Sequence, residues 1–325
     1  MARRWKKAVC LLIGVILLTG CSPVSVQQKQ EEGNGLRVVT TIFPLYDFAR
    51  AIGKDKITIE MLLDPGAESH SYDPTPGDMQ KIEESDIFIY IGGESESWVE
   101  NILDSFPADK TVLRMMDAVD PVEEEVVEGM QEEKHGAEES HREEEHDHEE
   151  EYDEHIWTSP VNARLMAEAI QKSFCEADPA NAAYYKNNGE NFSQKLEELD
   201  GTFREIVKNG KRNIMIFADR FPCRYFTEEY GLEYRAAFLG CSGESEPSAA
   251  TIAYLINRVK EDHIPVVFQI EFSNGRVASV LAEETGAAVR TFQSVHNITK
   301  QQFEAGITYL DLMEQNAVYL REALG

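Results

Sequence analysis

Four side chains that could bind a metal ion each follow a predicted β-strand closely. His70 lies in the turn-rich loop after "ITIEMLL", and Asp219 comes directly after "NIMIFA". Glu271 follows "PVVFQI", and His296 lies in the loop after "AAVRTF". Ligands of parallel α/β sheets bind beyond the carboxyl ends of the strands. Histidine nitrogens with one or two carboxylates suit zinc, and a more oxygen-rich set would suit manganese.

A fifth candidate, His155, lies where a long acidic run ends and an apolar pattern resumes. Residues 123–154 contain 17 acidic residues against Lys134 and Arg142. We expect this run to be a disordered, exposed loop, because so many carboxylates cannot be buried without a large desolvation cost. Its histidines could gather metal loosely: His135, His141, His146 and His148. His155 differs from them because "IWTSPVN" places it beside a capped helix start.

Short β-rich runs alternate with helical patterns on both sides of the acidic run. Before it, the predicted strands are "LRVVTTI", "ITIEMLL", "DIFIYIG" and "TVLRM"; after it, they are "NIMIFA", "LEYRAAF", "PVVFQIE" and "AAVRTF". Helix starts carry capping signals, with Thr75 before Pro76 and Ser159 before Pro160. The alternation predicts an α/β protein of two lobes, each a small, mainly parallel sheet flanked by helices.

One long helix, residues 179–209, is predicted to join the two lobes. Phe192, Leu196, Leu199 and Phe203 recur every three or four residues and form one apolar stripe. The alternative is two shorter helices with a break near Gly189. The predicted lobes are residues 36–178, which include the acidic run, and residues 210–325.

The first 35 residues indicate export and anchoring. Residues 1–20 combine a basic start with an apolar stretch too short to span a membrane comfortably, and "LTGC" ends them at Cys21. We expect a lipoprotein signal cut before Cys21, lipidation of that cysteine, and a flexible tether over residues 21–35. The chain carries 59 acidic and 31 basic residues, a net charge of −28. Such a charge excludes nucleic-acid binding through basic surfaces.

The cysteines left after Cys21 are few. Cys175, Cys223 and Cys241 form no C-x-x-C pair, so a thiolate zinc site is not indicated. Cys223 and Cys241 flank one helix–strand unit, and an oxidising compartment would allow them to pair.

Three segments, "PGAESHSYDPTPGD", "DEHIWTSPVNA" and "PVVFQIEFSNGRVASVLAEETGAAV", resemble the solute receptors of bacterial ABC importers for zinc and manganese. The resemblance extends from about Leu36 to the end of the chain and includes a His- and acid-rich insert in the family's usual place. It implies two α/β lobes, a rigid connecting helix, a metal buried between the lobes, and delivery to a membrane permease.

The resemblance also implies metal ligands. His70 and His155 match the family's first two histidine ligands. The third position falls near Asp219 or Arg220, and arginine cannot ligate because it stays protonated. The fourth position, often an aspartate in the family, is occupied by His296.

We therefore predict His70, His155, His296 and Asp219 as ligands. Glu271 matches a family glutamate that lies near the metal. Glu244 and Glu246 remain alternative ligands, but we prefer helix capping before Ser248 as the interpretation of their segment.

The sequence analysis thus predicts a receptor and not an enzyme. The expected protein is a monomer, anchored outside the cytoplasm by its lipid, that binds Zn²⁺, or Mn²⁺ as the alternative, for an ABC permease. A zinc hydrolase is the first rival, but H-E-x-x-H, G-x-S-x-G and P-loop motifs are absent from the sequence. The second rival is a surface lipoprotein that acts as an adhesin or metal buffer without a transport role.

Overall fold

Two parallel four-stranded sheets form the framework of the computed structural model, which describes residues 35–67, 72–103, 106, 110–130, 152–240 and 247–325. The first sheet has the order β2-β1-β3-β4, with β1 (Leu36–Thr40), β2 (Ile57–Met61), β3 (Ile87–Tyr90) and β4 (Thr111–Arg114). The second has the order β6-β5-β7-β8, with β5 (Ile214–Phe221), β6 (Glu233–Leu239), β7 (Val266–Gln269) and β8 (Ala288–Thr291). All strand pairs within these sheets are parallel. The predicted α/β fold with two lobes is confirmed.

Helices flank both sheets: α1 (Phe43–Gly53), α2 (Pro76–Glu84), α3 (Ser97–Leu103), α4 (Pro160–Ala177), α5 (Ala182–Asn209), α6 (Arg224–Tyr230), α7 (Ala249–Glu261), α8 (Arg276–Thr285), α9 (Lys300–Glu304) and α10 (Tyr309–Leu324). The predicted caps are confirmed, since Thr75 accepts a hydrogen bond from the Asp78 backbone N–H and Ser159 from that of Asn162. These caps fix where α2 and α4 begin, and α4 follows directly on the segment that carries His155.

Helix α5 is the predicted connection between the lobes, and it is unbroken at Gly189. The two-helix alternative is therefore wrong. A β-carbon at Gly189 would lie 1.9 Å from Oε1 of Gln171, so this glycine allows close packing against α4. The helix begins at Ala182, slightly later than predicted, because residues Pro179–Asn181 form a 3₁₀ turn.

A single cluster of buried apolar side chains includes residues of both lobes and of α5. Phe192 of α5 packs on Phe48 of α1, with ring centroids 5.5 Å apart, and Phe203 packs on Phe226 of α6 at 4.8 Å. Domains joined by a large apolar interface move little relative to one another. The loops at the cleft are therefore held at a fixed separation.

The acidic run is ordered at both of its ends, which corrects the predicted boundaries of the exposed loop. Glu123 pairs with Tyr152 in an antiparallel bridge, and the Asp153 N–H donates to the Val122 carbonyl at 2.9 Å. Asp153 and Glu154 are buried, with 2% and 3% of their surface exposed. Both can be buried because each accepts hydrogen bonds from nearby groups. Residues 131–151 lie outside the described residues, as do the predicted signal, Cys21 and the tether.

The proposed pairing of Cys223 with Cys241 is contradicted at Cys223. This residue has a free thiol that is 1% exposed, at the start of α6. Burial raises the pKa of the Cys223 thiol well above its ordinary value, so it behaves as a small apolar side chain. Cys241 lies outside the described residues.

Replacing Phe203 with alanine should destabilise the whole chain. Its ring is fully buried in the core that α5 shares with both lobes, so we expect a loss of about 3–5 kcal/mol in the free energy of unfolding. Glu205→Ala, at an exposed position of the same helix, should change it by less than about 0.5 kcal/mol. Urea unfolding followed by circular dichroism measures both. Equal effects of the two substitutions would contradict the shared core.

Candidate metal centre

A small pocket of about 40 Å³ lies at the carboxyl ends of the sheets, with walls from both lobes. Ala67 and His155 come from the N-terminal lobe, and Arg220, Glu271 and His296 come from the C-terminal lobe. In the second sheet the pocket lies beyond β5 and β7, between which the strand order reverses. Ligand sites of open α/β sheets lie at this kind of crevice.

Asp153 fixes the position of His155, which is fully buried. Its Oδ1 atom accepts a hydrogen bond from the His155 backbone N–H at 2.7 Å and lies 3.1 Å from the ring Nδ1. The hydroxyl of Tyr225 donates to the Asp153 carbonyl at 2.7 Å, and the hydroxyl of Thr158 donates to the His155 carbonyl at 2.8 Å. The segment before α4 is thus held from both sides.

The same carboxylate governs the protonation of His155. Burial lowers the pKa of His155, but the charge and hydrogen bond of Asp153 outweigh burial, so the pKa lies above its usual 6.5. In the neutral ring, the bond to Asp153 holds the hydrogen on Nδ1, and the lone pair is then on Nε2. A histidine oriented in this way is typical of metal ligands.

Glu271 organises the loop that carries His296. Its two carboxylate oxygens accept hydrogen bonds from the backbone N–H of Ser294 at 2.7 Å and from its hydroxyl at 2.5 Å. Burial raises the pKa of Glu271, although these hydrogen bonds oppose the shift. The indole N–H of Trp157 donates to the Ser294 carbonyl at 2.8 Å. Next in the chain, Val295 has a φ of 62°, which a β-branched residue adopts only when its surroundings impose it.

Asn297 connects this loop to the N-terminal lobe. Its side-chain amide donates to the carbonyls of Asp64 and Ala67, both at 2.9 Å, and the residue is 3% exposed. Asp64 and Ala67 belong to the loop after β2, which leads towards His70. The loops that carry His70 and His296 are therefore joined across the cleft.

His155 and His296 meet in the pocket, one from each lobe. Their ring centroids are 5.5 Å apart, and the ring of Trp157 packs against both, at 5.4 Å and 4.9 Å. Two imidazoles on one tetrahedral zinc ion, with Zn–N distances of about 2.1 Å, would have centroids about 5 Å apart. The spacing therefore suits joint ligation of one metal ion.

The structure does not bring Asp219 to the pocket. Strand β5 continues to Phe221 with a register irregularity between Phe217 and Arg220, and Arg220 lines the pocket instead. The Asp219 carboxylate accepts the backbone N–H of Arg220 at 2.8 Å. The sequence predicts that this strand ends before Asp219. In the structure it continues beyond Asp219, and the register irregularity changes which side chain faces the cleft.

His70, Glu244 and Glu246 lie outside the described residues. Within the described ranges, no three His, Cys, Asp or Glu side chains form a group that could hold a metal ion. Of the predicted ligands, His155 and His296 are the two that the described residues bring together. No helix among the described residues is long and apolar enough to cross a bilayer.

Sequence reasoning missed Asp153 and Asn297. Asp153 was counted with the acidic run, although "DEHIW" places it two residues before His155. Asn297 directly follows His296, but its hydrogen bonds reach a loop far away in sequence. Proximity to a candidate histidine was the available signal for both residues.

Comparison with known proteins agrees with the fold. Residues 38–323 match the family described as ZnuA, zinc-uptake complex component A periplasmic. The high-affinity zinc uptake system protein ZnuA of Bacillus subtilis (strain 168) is 31% identical over 325 residues, which cover 100% of this chain and 99% of that protein.

Zinc-binding lipoprotein AdcA of Streptococcus pneumoniae (strain ATCC BAA-255 / R6) is 30% identical over 323 residues, which cover 97% of this chain but 61% of AdcA. The crystal structure of the Zn(II)-bound ZnuA-like domain of Streptococcus pneumoniae AdcA is similar, with a TM-score of 0.72 and 26% identity. The match covers 89% of this chain and 99% of that domain. Since the family match extends over nearly the whole chain, this protein belongs to the ZnuA family of periplasmic zinc-uptake components.

Proposed function

We propose that this chain binds Zn²⁺ between its lobes, outside the cytoplasm, and delivers it to the permease of an ABC importer. The observation that carries the proposal is the proximity of His155 and His296, which come from opposite lobes. Their ring centroids lie 5.5 Å apart in a pocket at the strand ends. The relatives are named for zinc uptake and zinc binding, which supports zinc as the cargo.

The chemistry of the pocket suits a dication. The buried carboxylate of Asp153 bonds to the ring of His155 and orients it. Glu271 and Ser294 instead hold the backbone of His296, whose N–H donates to the Ser294 hydroxyl. Carboxylates behind ligating imidazoles raise ligand basicity and fix ring orientation. Arg220 adds a permanent positive charge at the pocket wall, which the carboxylates must outweigh when a cation binds.

His70 is the proposed third ligand. It lies three residues after Ala67 and two before Tyr72, and both of these line cavities that also include His296. At about 3.5 Å of chain per residue, a side chain at position 70 can reach the pocket from either flank. We leave Asp219 out of the proposed set because its side chain does not line the pocket. The lipid anchor at Cys21 remains part of the proposal and would keep the receptor near its permease.

Alanine at His155 or at His296 should each remove high-affinity zinc binding while the fold is retained. Both nitrogens are needed for one tetrahedral site, so we expect a loss of at least about a hundredfold in affinity, measured by calorimetry on chelator-stripped protein. His263→Asn is the matched control, since His263 is exposed and precedes β7 at the opposite end of the sheet. Wild-type affinity in either alanine variant would remove that residue from the site.

Asp153→Ala should weaken zinc binding by about 10–100-fold, because His155 loses both its hydrogen bond and its charged partner. The zinc affinity of Asp153→Asn should lie between that of Asp153→Ala and that of wild type, since the amide oxygen can still accept the hydrogen bond but carries no charge. Asp219→Asn alters a carboxylate outside the pocket, so its zinc affinity should stay within about twofold of that of wild type. If Asp219→Asn proves the more damaging of the two Asn variants, the assignment of both carboxylates is wrong.

Zinc should bind more tightly than manganese, by roughly tenfold or more. Imidazole ligands favour zinc, and the general order of divalent affinities places manganese lowest. Parallel calorimetric titrations of stripped wild-type protein with the two ions measure the ratio. Equal or reversed affinities would show that the complete site is richer in oxygen ligands than proposed.

A further inference from the structure

Two buried tyrosines of the C-terminal lobe donate hydrogen bonds to the backbone on either side of His155. The hydroxyl of Tyr225, in α6, donates to the Asp153 carbonyl at 2.7 Å. The hydroxyl of Tyr309, at the start of α10, donates to the Trp157 carbonyl at 2.8 Å. One accepting carbonyl lies two residues before the histidine and the other lies two residues after it. The segment that carries His155 in the N-terminal lobe is therefore attached to the C-terminal lobe at both of its ends.

Tyr225 also completes a pair of backbone hydrogen bonds. The Asp153 N–H donates to the Val122 carbonyl at 2.9 Å, and the next pair of residues, Glu123 and Tyr152, forms an antiparallel bridge. In a regular antiparallel pair, the Val122 N–H would return a bond to the Asp153 carbonyl. The Tyr225 hydroxyl mediates this second bond, since it accepts from the Val122 N–H at 3.1 Å while it donates to the Asp153 carbonyl. Both backbone groups of Asp153 are thus bonded, so the carboxylate that orients the histidine extends from a fixed backbone.

The two hydroxyls and their acceptors are shielded from water. Tyr225 is 3% exposed and Tyr309 is fully buried, and Asp153 and Trp157 are buried as well. Burial raises the pKa of Tyr225 to about 12 and also raises the pKa of Tyr309, so both hydroxyls stay protonated and can donate at neutral pH. A buried carbonyl that loses its donor has no bulk water to replace it.

The lobe that contains the two tyrosines also carries His296, whose ring centroid lies 5.5 Å from that of His155. Zinc ligands must lie close to their ideal positions, with Zn–N distances of about 2.0–2.1 Å. Tyr225 acts on the orientation of His155 through Asp153, and Tyr309 acts through the backbone that follows the histidine. Loss of either hydroxyl would therefore misplace one imidazole relative to the other without removal of a ligand.

We propose that Tyr225 and Tyr309 are positioning residues of the zinc site, which hold His155 against the lobe that carries His296. The proposal rests on the zinc-binding function and extends it, because it assigns part of the affinity to groups that do not line the metal pocket. Outer partners of ligating histidines are commonly worth 10–100-fold in metal affinity. The two hydroxyls act one step further from the metal, so the lower end of that range is expected.

Tyr225→Phe and Tyr309→Phe each remove one hydroxyl and keep the aromatic ring. Zinc affinity, measured by calorimetry on chelator-stripped protein, should fall about five- to tenfold in each variant. Tyr234→Phe is the matched control, because the buried Tyr234 hydroxyl donates at 3.3 Å to the Glu125 carbonyl, outside the His155 segment. Its zinc affinity should stay within about twofold of that of wild type. Affinities within twofold of wild type in both of the first two variants would overturn the proposal.

Urea unfolding of the metal-free variants separates positioning from general stability. Each of the three variants loses a hydrogen bond from a buried tyrosine, so we expect all three to become less stable by similar amounts. Zinc affinity should nevertheless fall only in Tyr225→Phe and Tyr309→Phe. If Tyr234→Phe loses as much zinc affinity as they do, the effect follows from destabilisation and the inference is wrong.

A double-mutant cycle tests the route from Tyr225 through Asp153. Tyr225→Phe should lower zinc affinity about five- to tenfold in wild type but less than about twofold in an Asp153→Ala background, where the carboxylate is already lost. Tyr309→Phe should keep its full effect in that background, because it acts through the backbone at Trp157. Fully additive effects of Tyr225→Phe and Asp153→Ala would contradict the positioning role of Tyr225.

Failure of this inference can be told from failure of the proposed function. If His155→Ala binds zinc as wild type does, the zinc site itself is wrong. If His155→Ala loses zinc while Tyr225→Phe and Tyr309→Phe bind it as wild type does, the site stands and only the role of the tyrosines is rejected.

Discussion

The apolar core that passes through both lobes and along α5 sets the distance between the two sides of the cleft. Phe48, Phe203 and Phe217 belong to one buried cluster, although they lie in the N-terminal lobe, the connecting helix and the C-terminal lobe. Rotation of the lobes would expose this surface at a cost of about 25 cal/mol per Å² of apolar area. The strand ends of both sheets therefore face each other at a nearly constant separation. The spacing of His155 and His296 follows from that constraint.

Within this fixed frame, buried polar groups determine how the cleft side chains are oriented. Asp153 orients His155, Glu271 holds Ser294 beside His296, and Asn297 joins the loops of the two lobes. Removing one partner from such a bond leaves a buried group unsatisfied, which costs about 1–3 kcal/mol. The strained backbone of Val295 lies between Ser294 and His296, whose N–H groups donate to Glu271 and to the Ser294 hydroxyl. A preorganised cleft of this kind binds a cation without first having to order its own loops.

The fold could be predicted from the sequence because its signals are local. Strand periodicity, the Thr75 and Ser159 caps and the apolar stripe of α5 each depend on a few neighbouring residues, and each is confirmed. Asp219, a predicted ligand, does not line the pocket because an irregularity within β5 changes which side chain faces it, and periodicity does not reveal such an irregularity. The buried ends of the acidic run were missed since partners distant in sequence, such as Tyr225 and Ser95, satisfy Asp153 and Glu154. Tertiary hydrogen bonds of this kind leave no local pattern.

The central claim is that one zinc ion is bound jointly by His155 and His296 across the cleft. Anomalous diffraction from crystals of the zinc-loaded chain, recorded on both sides of the zinc absorption edge, tests it most directly. The account predicts one strong anomalous peak between the lobes, about 2.1 Å from Nε2 of His155 and from a ring nitrogen of His296. A tightly bound zinc ion that contacts neither histidine would contradict it.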